Sequence, residues 1–204
     1  PTQNNTFLRR NKEKSEFNQY WYSAYTIESV VDEIEKCLLS QEQNEKTSLS
    51  ESMESLKVVD SEEKNLLECA FLSTPSIHFS LKDQNLFKNS LLLDYDSKSF
   101  ERRCKECHFY KYDFNEDVEK IPKEYKHRFR YLVVDPPFIT REVWEKYAKA
   151  IEYLAAPNAK VLCSTIQENR EMMKELLQCE PVPFKPSIPN LVYQYFFYTN
   201  YRAE

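Results

Sequence analysis

Glycine is absent from all 204 residues of the sequence, where average usage near 7% would supply roughly 14. A globular chain with many turns ordinarily places some residues at φ > 0, which glycine adopts at no steric cost. The expectation is that glycines are missing from the sequence as written rather than from the molecule, so that turn lengths between motifs read short. Unbroken Cα spacing of about 3.8 Å throughout would defeat that idea. Long apolar runs are lacking too. None approaches the roughly 18 residues that span a bilayer, and the start "PTQNNTFLRRNKEKSEF" has no signal-peptide core. A cytoplasmic protein with no membrane partner is expected. There is no Lys/Arg-rich stretch, and the net charge is -5. Since nucleic-acid binding rests on cations that neutralise phosphates, this argues against nucleic acid as the main partner and for a basic protein. The six cysteines, at 37, 69, 104, 107, 163 and 179, are scattered, and several sit in apolar runs as packed thiols, so no disulfide framework is expected.

What is present suffices for one α/β domain with an N-terminal extension: 41% hydrophobic and 14% aromatic residues, in a chain of single-domain length. Residues 1–16 read as a polar, flexible segment and 17–204 as the domain. "FNQYWYSAYTIESVVDEIEKCLL" places Ile27, Val30, Val31, Ile34 and Leu38 at helical spacing behind an aromatic cluster, with Thr26 as cap. Residues 40–64, rich in Ser, Glu, Gln and Lys, read as a flexible insertion. The apolar runs at 68–73, 90–96, 107–114, 130–135 and 159–165 read as strands. Between the last two, Val143, Trp144, Tyr147, Ile151 and Leu154 share a helical face behind Thr140 as N-cap, which makes a βαβ unit and a parallel sheet. "QENREMMKELLQC" adds a helix. "NLVYQYFFYTNY" closes the sheet as an antiparallel hairpin with a strand near Val182 to Phe184. The predicted fold is a doubly wound, mostly parallel α/β sheet with an antiparallel C-terminal strand.

In such sheets ligands bind beyond the carboxyl ends of the strands. The candidates are therefore Ser73-Thr74-Pro75-Ser76, Asp94-Tyr95-Asp96, Tyr112-Asp113-Phe114-Asn115 and Asp135-Pro136-Pro137-Phe138. Asp94 or Asp96 is placed to accept from ribose hydroxyls, and Asp113 and Asn115 to meet a nucleobase edge with Phe114 or Tyr112 packing on the ring. Ordinary solvated turns are the alternative for each. In Asp-Pro-Pro-Phe neither proline offers an N–H, the segment is stiff, and its carbonyls are free to accept. A carboxylate, rigid carbonyls and an aromatic face suit an amine held for methyl transfer; a strand-ending turn is the alternative. Cys104-x-x-Cys107-His108 has half the spacing of a zinc site, but no second pair follows and His127 is distant. We expect packed thiols and no metal, with His78 on a helix surface or in packing.

Several blocks carry a family resemblance. "VVDPPF" fits the [DNS]-P-P-[YFW] signature of amino-group methyltransferases. Together "FNQYWYS", "AFLSTPSIHFSL", "LLLDYD", "FYKYDFN" and "LVVDPPFITREVWEKYAKAIEYL" resemble, in order, the elongation factor 1A lysine methyltransferase 1 family, first catalogued as N6-adenine DNA methyltransferases. The resemblance runs from Phe17 to the C-terminus, apart from 40–64. It implies a class I, Rossmann-like methyltransferase fold, S-adenosyl-L-methionine as cofactor, and lysine methylation of elongation factor 1A, with N6-adenine methylation of DNA or RNA as the alternative. On this basis Ser73, Thr74, Pro75 and Ser76 form the cofactor loop, Asp94 with Asp96 the ribose acids, Asp113 and Phe114 the adenine region, and Asp135 to Phe138 the catalytic motif. Phe17, Tyr20, Trp21 and Tyr22 lie over the substrate mouth or anchor the first helix. A departure is "LSTPS", which lacks the glycine common in this loop among class I enzymes.

Overall fold

The computed structural model describes the backbone of residues 5–51 and 67–203, and the side chains of 5–39 and 67–203. Among the described residues seven strands form one sheet: β1 (Leu67–Leu72), β2 (Ser90–Asp94), β3 (His108–Lys111), β4 (Phe129–Val134), β5 (Ala155–Ile166), β6 (Glu180–Pro181) and β7 (Tyr195–Thr199). Their order is β3-β2-β1-β4-β5-β7-β6. The first five are mutually parallel, while β7 runs antiparallel to β5 and β6. This is the doubly wound plan expected from the apolar runs, and the strand order reverses between β1 and β4.

Alternation along the strands builds two cores. Ala70, Leu72, Leu132 and Val134 face one side with Trp144, Tyr147 and Ile151 of α6 (Arg141–Leu154) and the methionines of α7 (Arg170–Leu177). Cys69, Phe71, Tyr131 and Val133 face the other, with Ile27, Val30, Val31, Ile34 and Leu38 of α2 (Ala24–Glu51). Thr140 caps α6 by accepting from Val143 N at 3.5 Å, as the sequence suggests. Short helices fill the crossover from β1 to β2, α3 (Pro75–His78) and α4 (Gln84–Lys88), and that from β2 to β3, α5 (Ser97–Phe100), while 3-10 turns at Val118–Lys120 and Lys123–Tyr125 lie between β3 and β4.

Several boundaries differ from expectation. Residues 5–16 are not a loose extension. Helix α1 (Thr6–Arg10) puts Phe7, 2% exposed, against Trp21 at 5.2 Å between ring centres, and Lys14 reaches Asp96 at 2.6 Å. One well-buried ring and one ion pair outweigh the polar composition. Helix α2 is capped by Ser23, whose hydroxyl accepts from Thr26 N, so Thr26 lies inside the helix. The same helix continues to Glu51, so 40–51 is helical; 52–64 lies outside the described residues. Strand β6 is confined to Glu180–Pro181 rather than Val182 to Phe184, because Pro183 lacks the N–H that a ladder needs. Strand β7 begins only at Tyr195, since Ile188 and Leu191 turn into the cleft described below.

Asn18, Ser73, His127, Asn158 and Gln178 take positive φ, the region that glycine adopts at no steric cost. Asn tolerates this region best, and Gln178 occupies the left-handed position that ends α7. Ser73, at φ 58, stands where β1 turns into the loop over the sheet.

Candidate active site

The carboxyl ends of β1, β2, β3 and β4 open onto one cleft. Leu72 and Val134 are the last residues of neighbouring strands, and the ladder continues one step further through Asp135 N, which donates to Leu72 O at 3.1 Å. Ser73 N likewise reaches Leu93 O at 2.8 Å, and Tyr112 N reaches Asp94 O at 3.1 Å. These bonds hold the four strand ends side by side. The cleft is lined by Ser73 and Pro75, by Asp94, Tyr95 and Asp96, by Tyr112 to Asn115, and by Asp135 to Phe138. Glu16 to Trp21 line it as well, together with Ile188, Leu191 and Tyr195, whose segment is tied to the N-terminal one through Ser23 N to Ser187 O at 2.7 Å and Asn190 to Glu13 at 2.8 Å.

Most of the site residues expected from the sequence therefore meet. Three stand back from the lining. Thr74 is buried, with its hydroxyl 3.4 Å from Val133 O. Ser76 is buried, and its carbonyl accepts from Ser80 Oγ at 2.7 Å. Both lie under the loop because α3 begins at once, with Pro75 in its first turn. Tyr22 is also buried, but it reaches the centre of the site from behind.

That centre is Asp135. Tyr22 Oη donates to Asp135 Oδ2 at 2.7 Å, Ser164 Oγ donates to Oδ1 at 2.9 Å, and the two hydroxyl oxygens are 2.6 Å apart. Each hydroxyl has a single proton. With the carboxylate ionised, two protons serve three contacts; a proton on Asp135 completes a closed ring. Burial drives the Asp135 pKa up to about 6, against the lowering effect of the Tyr22 and Ser164 bonds. The site can hold a negative charge at neutral pH and accept a proton with little rearrangement.

The other acids are differentiated by their surroundings. Burial pushes Asp94 up to about 7, opposed by the bond that it accepts from Asp96 N at 2.8 Å. Burial alone would also raise Asp96, but bonds from Lys14 and Ser99 outweigh it and hold the group below the usual carboxylate range. Asp96 is thus committed to the N-terminal segment and to capping α5, leaving Asp94 the freer of the two acids.

The aromatic walls are built from Phe114 and Phe138, whose rings meet edge-on at 6.3 Å, and from Tyr147, which packs on Tyr112 at 5.5 Å. Phe138 is half exposed. The proline carbonyls are not all free: Asn18, itself left-handed at φ 52, donates to Pro137 O. That contact lays the "FNQYWYS" segment across the Asp-Pro-Pro-Phe turn.

Sequence reasoning missed Ser164, Tyr195 and the cleft-facing part of Tyr147. Tyr147 carries the helical spacing of a core residue, yet its hydroxyl meets Ser73 Oγ at 2.7 Å. Ser164 follows strand alternation in β5, and nothing local marks it as a partner of Asp135.

Residues 13–203 match the model of a family described as "Probable N6-adenine methyltransferase". The chain belongs to this family. It is 37% identical to a protein-lysine N-methyltransferase of Dictyostelium discoideum over 145 residues, 69% of this chain and 65% of that protein. It is 26% identical to EEF1A lysine methyltransferase 1 of Gallus gallus over 194 residues, 94% of this chain and 77% of that one. The human protein of the same name is 28% identical over 134 residues, 65% of this chain and 60% of that protein. The chain thus spans a little under two thirds of the length of the Dictyostelium and human relatives. The motif resemblance and the doubly wound sheet expected for this methyltransferase family are both borne out.

Proposed function

We propose that the protein is an S-adenosyl-L-methionine-dependent protein-lysine N-methyltransferase whose substrate is translation elongation factor 1A. The observation that carries this reading is the charge of the cleft. Glu16, Asp94, Asp96, Asp113 and Asp135 line it, and among the described residues no Lys or Arg does. Such a cavity favours a cationic side chain and repels a phosphodiester backbone. The names of the Dictyostelium and vertebrate relatives point the same way.

The donor set suits the cofactor. Asp94 would accept from the ribose hydroxyls, with Asp113 and Phe114 beside the adenine and the turn at Ser73 and Pro75 against the body of the molecule. When bound, S-adenosyl-L-methionine supplies an electrophilic methyl group on a sulfonium. The chain's own part is to present the amine. Asp135, ionised at neutral pH, would bind the lysine ammonium, and the half-exposed Phe138 adds a cation–π face of about 0.5–2 kcal/mol. Burial raises the proton affinity of Asp135 and disfavours a charged lysine, which brings the two affinities closer and eases deprotonation of the amine. Exposed Val192 and Tyr193, next to cleft-lining Leu191, offer apolar surface for a protein partner.

The competing reading, N6-adenine methylation of DNA or RNA, rests on the family's description. Labelled methyl donor offered with purified elongation factor 1A, DNA and RNA in parallel separates the two. Label on a lysine of the factor is expected; label in nucleic acid alone would sink the lysine reading.

A further inference from the structure

We propose that His78, Cys104 and Cys107 form a zinc(II) site that clamps the end of the cofactor loop to the neighbouring crossover. One ring nitrogen of His78 and the two sulfurs lie within 4.8 Å of one another. The three residues come from two places: His78 ends α3, while Cys104 and Cys107 flank the turn that leads into β3. Parallel pairing of β1 with β2 and of β2 with β3 brings these segments together.

The hydrogen bonds settle which nitrogen is offered. Ser90 Oγ donates its only proton to Phe87 O at 2.6 Å, so at 2.9 Å from His78 Nε2 it must accept. His78 is therefore protonated on Nε2, and Nδ1 carries the bare lone pair. That atom is buried without any hydrogen-bond partner, in a ring enclosed by Phe71, Phe79 and Phe87 at 4.8 to 5.1 Å. A histidine with Nε2–H fixed by a second residue, Nδ1 left bare, and a ring nitrogen within 4.8 Å of two thiols has the makings of a metal ligand. Both cysteines are free and half-buried.

Imidazole with two thiolates is a donor set for zinc rather than for magnesium or calcium. A tetrahedral zinc with bonds of about 2.3 Å to sulfur and 2.0 Å to nitrogen spaces its donors roughly 3.5–3.8 Å apart, a small contraction of the cluster. Binding releases the two thiol protons to solvent, and two thiolates neutralise the ion. No net charge is then left beside Arg103, whose guanidinium stacks on Phe79 at 4.0 Å. With three protein donors, a tetrahedral zinc would take water in its fourth position. Helix α3 has four residues, with Pro75 lining the cleft at one end and His78 in the clamp at the other. The ion would therefore hold the cofactor loop in place without touching the reacting groups.

The test is metal content by mass spectrometry of the full chain, purified under reductant with no histidine tag. About one zinc per chain is expected, retained in Cys37→Ser and lost in the Cys104→Ser/Cys107→Ser double variant. Cobalt(II) added to metal-stripped protein should give thiolate charge-transfer absorption in the wild type and none in the double variant. Should the double variant fail to fold, wild-type protein alone decides: Tm should fall by several degrees with a zinc chelator and recover with zinc but not magnesium. Zinc no higher in wild type than in a folded double variant overturns the proposal. A Tm indifferent to chelator and zinc, or a Cys104–Cys107 disulfide trapped in metal-free protein from cells, does the same.

Discussion

Tyr22 donates its phenolic proton to Asp135 across 2.7 Å and 113 positions of sequence. The bond ties the aromatic segment that precedes α2 to the carboxylate that ends β4, and it favours the ionised form of that carboxylate. Tyr22→Phe removes the donor and keeps the ring, so the Asp135 pKa should climb above about 6. A hydrogen bond to a charged group is worth about 1.5–3 kcal/mol, and the acidic limb of kcat/KM for methyl transfer should move up by about one to two pH units. A pH profile checks this; an unmoved limb would show that Tyr22 does not support the working charge.

Asp135→Asn keeps the shape and removes the charge. Turnover should fall by about 10²–10⁴, the range for losing a positioned acid–base group, while calorimetry should find cofactor affinity within a few-fold of wild type. Unchanged turnover would remove Asp135 from the chemistry and leave Asp-Pro-Pro-Phe as a strand-ending turn.

The cleft itself was legible because β1, β2 and β4 are apolar runs whose ends stand out, and because α6 carries its buried face at regular spacing. Its interior wiring was not. Ser164 and Tyr22 lie 142 positions apart, and each obeys the local pattern of its own element, so only the folded sheet reveals that they share Asp135. His78 was hidden from Cys104 and Cys107 for the same reason. The early segment misled in the opposite direction: its polar composition masks Phe7, and one buried ring with the Lys14–Asp96 pair is enough to order residues 5–16.

Asp94 links stability to pH with a definite sign. Burial lifts its folded pKa to about 7 from the ordinary carboxylate value. Between roughly pH 4 and pH 7 the folded chain therefore binds more protons than the unfolded one, and stability declines as pH rises through that window. Asp135, lifted to about 6, adds a contribution of the same sign. Asp94→Asn should flatten the dependence and raise Tm at pH 8 by several degrees. If Asp94 takes the proposed ribose role, the same variant should bind S-adenosyl-L-methionine more weakly, since hydroxyls gain most from an ionised acceptor, and wild-type affinity should increase with pH through about 7. Thermal melts and calorimetry at pH 5.5 and pH 8 check both.

Ser73 connects the missing glycines to the site. At φ 58 its backbone is in a conformation that costs an L-residue about 1–2 kcal/mol, while its hydroxyl meets Tyr147 Oη at 2.7 Å. Two substitutions separate these effects. Ser73→Ala loses the hydrogen bond and keeps the strain, so it should destabilise the fold by about 1 kcal/mol. Ser73→Gly loses the same bond and releases the strain, so it should be more stable than Ser73→Ala by about 1 kcal/mol, allowing for glycine's greater freedom when unfolded. Chemical denaturation of the two variants measures the difference. Equal stabilities would mean that the turn carries no strain.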